Sequence, residues 1–178
     1  MDRQSSTPAI YLGHGASGTA ASMAPYVDGL IERGLDAATL ALPKRRAEDA
    51  VAALAAQAPR DRGLVIGGHS YGGRVASLAV ASGGYAGLVC LSYPLHRPGE
   101  PALGPRVAHW PSIACPVLLL SGESDPFARI DLLREALPSL PRAELVTYPG
   151  LGHSLLPVLA DVLDRIDRFL RSIAAEEG

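Results

Sequence analysis

The stretch Leu64-Val65-Ile66-Gly67-Gly68-His69-Ser70-Tyr71-Gly72-Gly73-Arg74-Val75-Ala76 says more about the fold than any other part of the 178-residue chain. Leu64 to Gly67 is a short apolar run of the kind that fills a strand covered on both faces, and from Gly72 onward the apolar residues recur at helical spacing. Between them Gly68 to Gly72 reads G-x-S-x-G, a pattern that carries weight only where a strand turns abruptly into a helix. The turn is so tight that a Cβ two residues before or after the serine would strike neighbouring backbone, which explains Gly68 and Gly72. It also holds the Ser70 hydroxyl clear of the sheet, with a helix N-terminus behind it to favour developing negative charge. A serine between glycines can also be a mere helix cap, so the surrounding pattern has to decide.

Working outward, the same unit recurs. Strands are predicted at Ala9 to Leu12, Ala37 to Leu42, Leu64 to Gly67, Gly87 to Ser92, Val117 to Ser121 and Glu144 to Tyr148. Helices are predicted between or after them at Ala20 to Arg33, Arg46 to Gln57, Gly72 to Ala81, Phe127 to Leu137 and Leu155 to Ile173. Alternating strands and helices without a linker give an α/β protein with a mostly parallel sheet, one domain over residues 1 to 178. One segment breaks the rhythm. Pro94 to Ala114 holds five prolines, two histidines and Trp110 without a sustained period. A structureless stretch of that length in a compact domain is often functional.

A serine hydroxyl is a weak nucleophile until a base removes its proton, and the base needs a carboxylate to orient it. Gly122-Glu123-Ser124-Asp125-Pro126 follows the fifth strand, and Pro149-Gly150-Leu151-Gly152-His153 follows the sixth. In a parallel sheet all strands end at the same edge, so Ser70, Asp125 and His153 can converge despite separations of 55 and 28 positions. Pro126 favours a turn and helix start at Asp125, but Glu123 is a rival carboxylate. His69 is expected to point away from the serine, and the directions of His14, His96 and His109 are open. Acyl transfer also needs fixed backbone donors for an oxyanion. The N–H of Tyr71 is one candidate, and the turn Gly13-His14-Gly15-Ala16-Ser17-Gly18 offers the N–H of Ala16.

That turn also matches G-x-G-x-x-G, the dinucleotide fingerprint. A nicotinamide or flavin site would want an acid at the end of the second strand, or arginines for a phosphorylated ribose. The strand end lacks the acid, but Pro43-Lys44-Arg45-Arg46 suits the phosphate, so a dinucleotide-binding protein stays as an alternative that leaves Ser70, Asp125 and His153 unexplained. No cofactor and no metal are expected, since no histidine pair has helical metal spacing. The only cysteines, Cys90 and Cys115, lack C-x-x-C spacing and read as reduced thiols in apolar surroundings.

A formal net charge of -2 with 19% charged and 48% hydrophobic residues gives an ordinary globule with no basic excess, so no nucleic-acid partner is expected. Met1 to Pro8 lacks a secretory apolar region and no stretch is long enough to span a membrane, so no membrane partner and a cytoplasmic location are expected. Fifteen arginines against one lysine and no asparagine fit a GC-rich bacterial genome. Oligomeric state is not legible.

With these motifs in hand, the chain resembles the α/β-hydrolase superfamily over nearly its whole length, without the first two strands of the larger sheet. It is most similar to small dienelactone-hydrolase-like members and to the testis-expressed protein thirty type. The similarity to the latter lies in Tyr93-Pro94-Leu95-His96-Arg97-Pro98-Gly99 and Gly122-Glu123-Ser124-Asp125-Pro126-Phe127. Dienelactone hydrolases proper use cysteine where Ser70 stands here. The resemblance implies a three-layer α/β/α sandwich, with six parallel strands in order 2-1-3-4-5-6, helices on both faces and no cap. It also implies a serine hydrolase with Ser70, Asp125 and His153 catalytic, acting on a small-molecule ester or thioester. Some relatives look like scaffolds, which leaves a non-catalytic interaction protein as the alternative. Pro94 to Ala114 is too short and proline-rich for a helical cap, and is expected to wall one side of a shallow pocket with Leu95 and His96, while Trp110 packs beneath it.

Overall fold

The computed structural model describes residues 7–176, so the expectation for Met1 to Pro8 falls mostly outside them. Six strands form one parallel sheet: β1 (Ala9–Gly13), β2 (Ala37–Leu40), β3 (Leu64–His69), β4 (Gly87–Leu91), β5 (Val117–Gly122) and β6 (Ala143–Tyr148). Their order is β2-β1-β3-β4-β5-β6, as the resemblance implies. The chain starts in the middle, moves out to one edge, returns and then proceeds to the other, so the direction reverses between β1 and β3. At such a reversal the connections diverge and leave a crevice at the carboxyl edge. Ser70 follows β3 and the Gly13 to Gly18 turn follows β1, one on each side of it.

Alternate residues of each strand face opposite layers. Ile66, Leu88, Cys90, Val117 and Leu119 pack in one core with α2 (Ala47–Gln57), α3 (Tyr71–Val80) and α4 (Ile130–Ala136). Ile10, Leu12, Val65, Val89, Leu91, Leu118 and Leu120 pack in the other with α1 (Ala24–Glu32) and α5 (Leu159–Glu176). The central strands β3 and β4 are buried on both faces, hence their continuous apolar runs.

Several boundaries differ from expectation for local reasons. β2 stops at Leu40 because the next backbone groups have side-chain partners: Gln57 bonds both Ala41 N–H and Ala41 C=O, and Leu42 N–H donates to His14 Nε2. The helix expected from Phe127 begins only at Ile130, because Asp125 Oδ1 accepts the Phe127 N–H at 2.8 Å and Arg129 is extended, with ψ at 127°. The helices expected at Ala20 and Leu155 both open with a 3-10 turn, at Ala20–Met23 and Leu156–Val158. Between β4 and β5 the only helical piece is the 3-10 turn Trp110–Ser112, and Trp110 is buried edge-on against Tyr93 with ring centroids 5.1 Å apart.

Candidate active site

Ser70 has φ of 49° and ψ of -114°, a conformation that L-residues avoid because Cβ crowds the backbone. Such strain costs on the order of 1–3 kcal/mol and persists only where the surroundings enforce it. The enforcement is visible: a Cβ on Gly68 or on Gly72 would stand 2.2 Å from the carbonyl oxygen of Gly13. Strand β1 therefore lies against both flanks of the elbow, which forces the serine outward. Ser70 is half-buried and lines a cleft of about 710 Å3 together with Gly15, Ala16, His69, Phe127 and His153. Met23, Tyr26 and Leu156 supply its apolar walls.

The loops after β5 and β6 are tied together by backbone bonds, Glu123 N–H to Tyr148 C=O and Ser124 N–H to Leu151 C=O. This brings Asp125 and His153 together: His153 Nδ1 donates to Asp125 Oδ2 at 2.8 Å, while Asp125 Oδ1 takes the Phe127 N–H. The Asp125 side chain is fully buried, so both oxygens rely on these fixed donors instead of water. The Phe127 ring covers the imidazole, with centroids 4.4 Å apart. Glu123, the rival carboxylate, turns elsewhere; its Oε1 accepts from Thr147 Oγ1 at 2.7 Å and lies 3.7 Å from Arg134.

The other histidines are engaged in structure. His14 donates from Nδ1 to Gly15 C=O and accepts Leu42 N–H at Nε2. His96 does the same between Arg97 C=O and Arg129 N–H. Ser77 donates its hydroxyl proton to Arg74 C=O, so His109 Nε2–H must donate to Ser77 Oγ. His153 alone combines a carboxylate on Nδ1 with a position on the Ser70 cleft.

His69 does not point away from the serine as expected. As the last residue of β3, paired with Leu91, His69 keeps the alternation that sends Val65 to the α1 and α5 side, so its ring enters the cleft wall there and Nε2–H donates to His153 C=O at 2.9 Å. Burial holds the His69 imidazole below its ordinary value. Leu95 and His96 also depart from expectation. Both are buried and line a second cavity instead of the Ser70 cleft. The cause is that His96 N–H bonds Phe127 C=O while its ring binds Arg129 N–H, docking the Pro94 loop flat onto the loop after β5. Phe127, Met23, Tyr26 and Leu156 were missed as lining residues; their apolar periodicity is indistinguishable from that of core residues.

Tyr71 N–H sits at the first position of α3 and Ala16 N–H in the β1 turn, and among the described residues neither has a hydrogen-bond acceptor. The glycine-rich turn does not run straight into a helix as the dinucleotide fingerprint requires. It lines the Ser70 cleft, and the chain becomes helical only at Ala20. Among the described residues no group of three or more metal-ligating side chains is assembled, and no helix is long and apolar enough to cross a membrane. Cys90 is buried and Cys115 half-buried, and burial pushes both thiols up, Cys115 to about 11.

The fold is that of an α/β hydrolase, with a serine on a strained elbow at the point where strand order reverses. The model of the alpha/beta hydrolase domain family matches residues 25–175, and the chain belongs to that family. Its architecture is shared with a monoacylglycerol lipase of Paleococcus ferrophilus, at a TM-score of 0.79 and 14% identity, covering 94% of this chain and 96% of that one. Est1E of Butyrivibrio proteoclasticus, solved with ferulic acid, superposes with a TM-score of 0.76 at 18% identity, covering 97% and 92%. The esterase Pf2001 of Pyrococcus furiosus gives 0.76 at 15%, covering 94% and 81%. No curated protein sequence matches the chain.

Proposed function

We propose that this single-domain protein is a serine hydrolase that cleaves small carboxylic esters or thioesters through an acyl-enzyme. The observation that carries the reading is His153, on the wall of the cleft that also holds Ser70, with its Nδ1 bonded to the dry Asp125 carboxylate behind it. Neutral His153 removes the Ser70 proton as the oxygen attacks the substrate carbonyl. The imidazolium so formed is stabilised by Asp125 and then protonates the leaving alcohol or thiol. The oxyanion is received by the N–H groups of Tyr71 and Ala16, in a role worth about 2.7–4 kcal/mol per donor. Water, deprotonated by His153, releases the acid in the second half-reaction.

Further support comes from the strain at Ser70, which a scaffold has no need to maintain. The proteins of similar fold, a monoacylglycerol lipase and an esterase among them, point the same way. The walls Met23, Tyr26 and Leu156 accept a short acyl chain, and nothing between β4 and β5 forms a helical cap over a long one.

The test is a fluorophosphonate probe on purified protein, read by intact mass and peptide mapping. Wild type should gain one adduct at Ser70 and Ser70→Ala none. An adduct elsewhere would overturn the assignment of the nucleophile. A wild type that resists the probe and turns over neither activated esters nor thioesters would favour a non-catalytic interaction protein.

A further inference from the structure

The cavity that receives Leu95 and His96 holds about 630 Å3 and is unlike the Ser70 cleft in charge. Four arginines line it from three separate connections: Arg46 at the start of α2, Arg74 in α3, and Arg97 and Arg106 in the loop after β4. Only two carboxylates, Glu48 and Glu100, line it with them. The cavity thus carries two surplus positive charges in a chain whose net charge is -2.

Like charges gather at such a place only if something holds them. Arg106 is anchored by donating from one Nη to Pro94 C=O at 2.9 Å and His96 C=O at 3.3 Å. Arg74 spends one Nη on Glu48 at 2.6 Å, while its Nε is buried with no hydrogen-bond partner. Arg46 reaches Glu48 only at 3.8 Å and is mostly exposed. Among the described residues Arg97 has no carboxylate partner within ion-pair distance. Burial and the cations of Arg74 and Arg97 also press the Arg106 guanidinium below its ordinary range. The result is a set of planar, charged forks with donors left over around an open volume, Arg106 fixed by backbone carbonyls and Arg74 by Glu48, with Arg46 and Arg97 at the exposed rim.

We propose that this cavity binds a phosphate group. Two surplus charges are neutralised by a phosphate dianion, whereas a single carboxylate would leave one uncompensated. Guanidiniums also bind tetrahedral oxyanions through paired N–H donors. The remaining volume accommodates the organic part of a phosphate monoester. Arg46 follows β2 and Arg97 follows β4, so the cavity opens on the same carboxyl edge of the sheet as Ser70, and α3 carries Arg74 one turn beyond Ser70. The site stands on these arginines alone and does not depend on the hydrolytic reading.

Titration calorimetry with inorganic phosphate and with methyl phosphate, at low ionic strength and pH 8, tests it. Wild type and Ser70→Ala should bind alike, which separates this site from the serine cleft. Arg97→Ala and Arg46→Ala remove exposed side chains that hold no backbone, and each should weaken binding about tenfold, equivalent to about 1.4 kcal/mol. Arg74→Gln should do the same, with its thermal transition recorded to show that the fold is kept. Absence of phosphate binding, or binding indifferent to all three substitutions, would overturn the proposal. A second arm finds the source of the phosphate. A substrate-borne group predicts that acetyl esters with a phosphate on the alcohol are hydrolysed with lower KM than their uncharged analogues. That advantage should disappear in Arg97→Ala. A separate phosphorylated ligand predicts phosphate binding without that preference.

Discussion

Replacing Asp125 by Asn tests the core of the proposed chemistry, because the structure dictates how the amide must sit. Asp125 Oδ1 accepts the Phe127 N–H and Oδ2 accepts the His153 Nδ1–H, both at 2.8 Å. An asparagine can satisfy only one of these with its single oxygen. Keeping the Phe127 bond, which anchors the loop, sets the amide NH2 against Nδ1. Two donors then face each other in a fully buried position, and the relief available is for the imidazole to move its proton to Nε2. In that tautomer the nitrogen that should accept the Ser70 proton already carries one. The expected loss in kcat for p-nitrophenyl acetate is about 10,000-fold, the scale that a wrongly held tautomer produces in serine proteases. That corresponds to about 5.4 kcal/mol in barrier. The shape of the side chain is unchanged and one bond survives, so stability should drop by only about 1 kcal/mol, or about 2–4 °C in Tm. Glu123→Gln supplies the comparison: its oxygen can still accept from Thr147, and kcat should change by less than about threefold, as for surface substitutions generally. A folded Asp125→Asn enzyme within tenfold of wild type would refute the tautomer argument. A reversed ranking would transfer the orienting role to Glu123.

The strain at Ser70 predicts that Ser70→Gly, while inactive, is more stable than wild type. Release of about 1–3 kcal/mol at the elbow exceeds the added freedom of glycine in the unfolded chain, so a thermal scan should show Tm raised by about 2–4 °C. A lowered Tm would show that the elbow is not strained. Acid should destabilise the fold through His69 and His109, whose burial holds both below the ordinary 6.5. The unfolded chain takes up protons there as pH falls through about 6.5 while the folded chain does not, so stability is lost on the acid side. Urea midpoints at pH 7.5 and 5 should diverge in wild type and less so in His109→Asn; an equal divergence would remove His109 from the account. The uncapped cleft should favour p-nitrophenyl acetate to butyrate and gain nothing further with length. Each enclosed methylene is worth about 0.8 kcal/mol, but only where protein surrounds it. A steady rise in kcat/KM to long chains would mean that cover comes from elsewhere.

How much of this was legible in the sequence follows the range of the forces involved. Strand identity, helix phase and the elbow are local: an apolar run with a period of two or 3.6, or two glycines astride a serine, encodes its conformation within a few residues. Their repetition sets the layer order, since alternating units leave few ways to bury both faces of a sheet. The Ser70, Asp125 and His153 candidates were readable because each follows a strand, and parallel strands end at one edge. The choice of Asp125 over Glu123 was made by the loops after β5 and β6, whose backbone bonds aim one carboxylate at His153 and leave the other to Thr147. Likewise the withdrawal of Leu95 and His96 from the cleft and the gathering of four arginines in one cavity depend on contacts between separate segments of the chain. Such contacts have no period and leave no local signature, so only the folded chain could decide them.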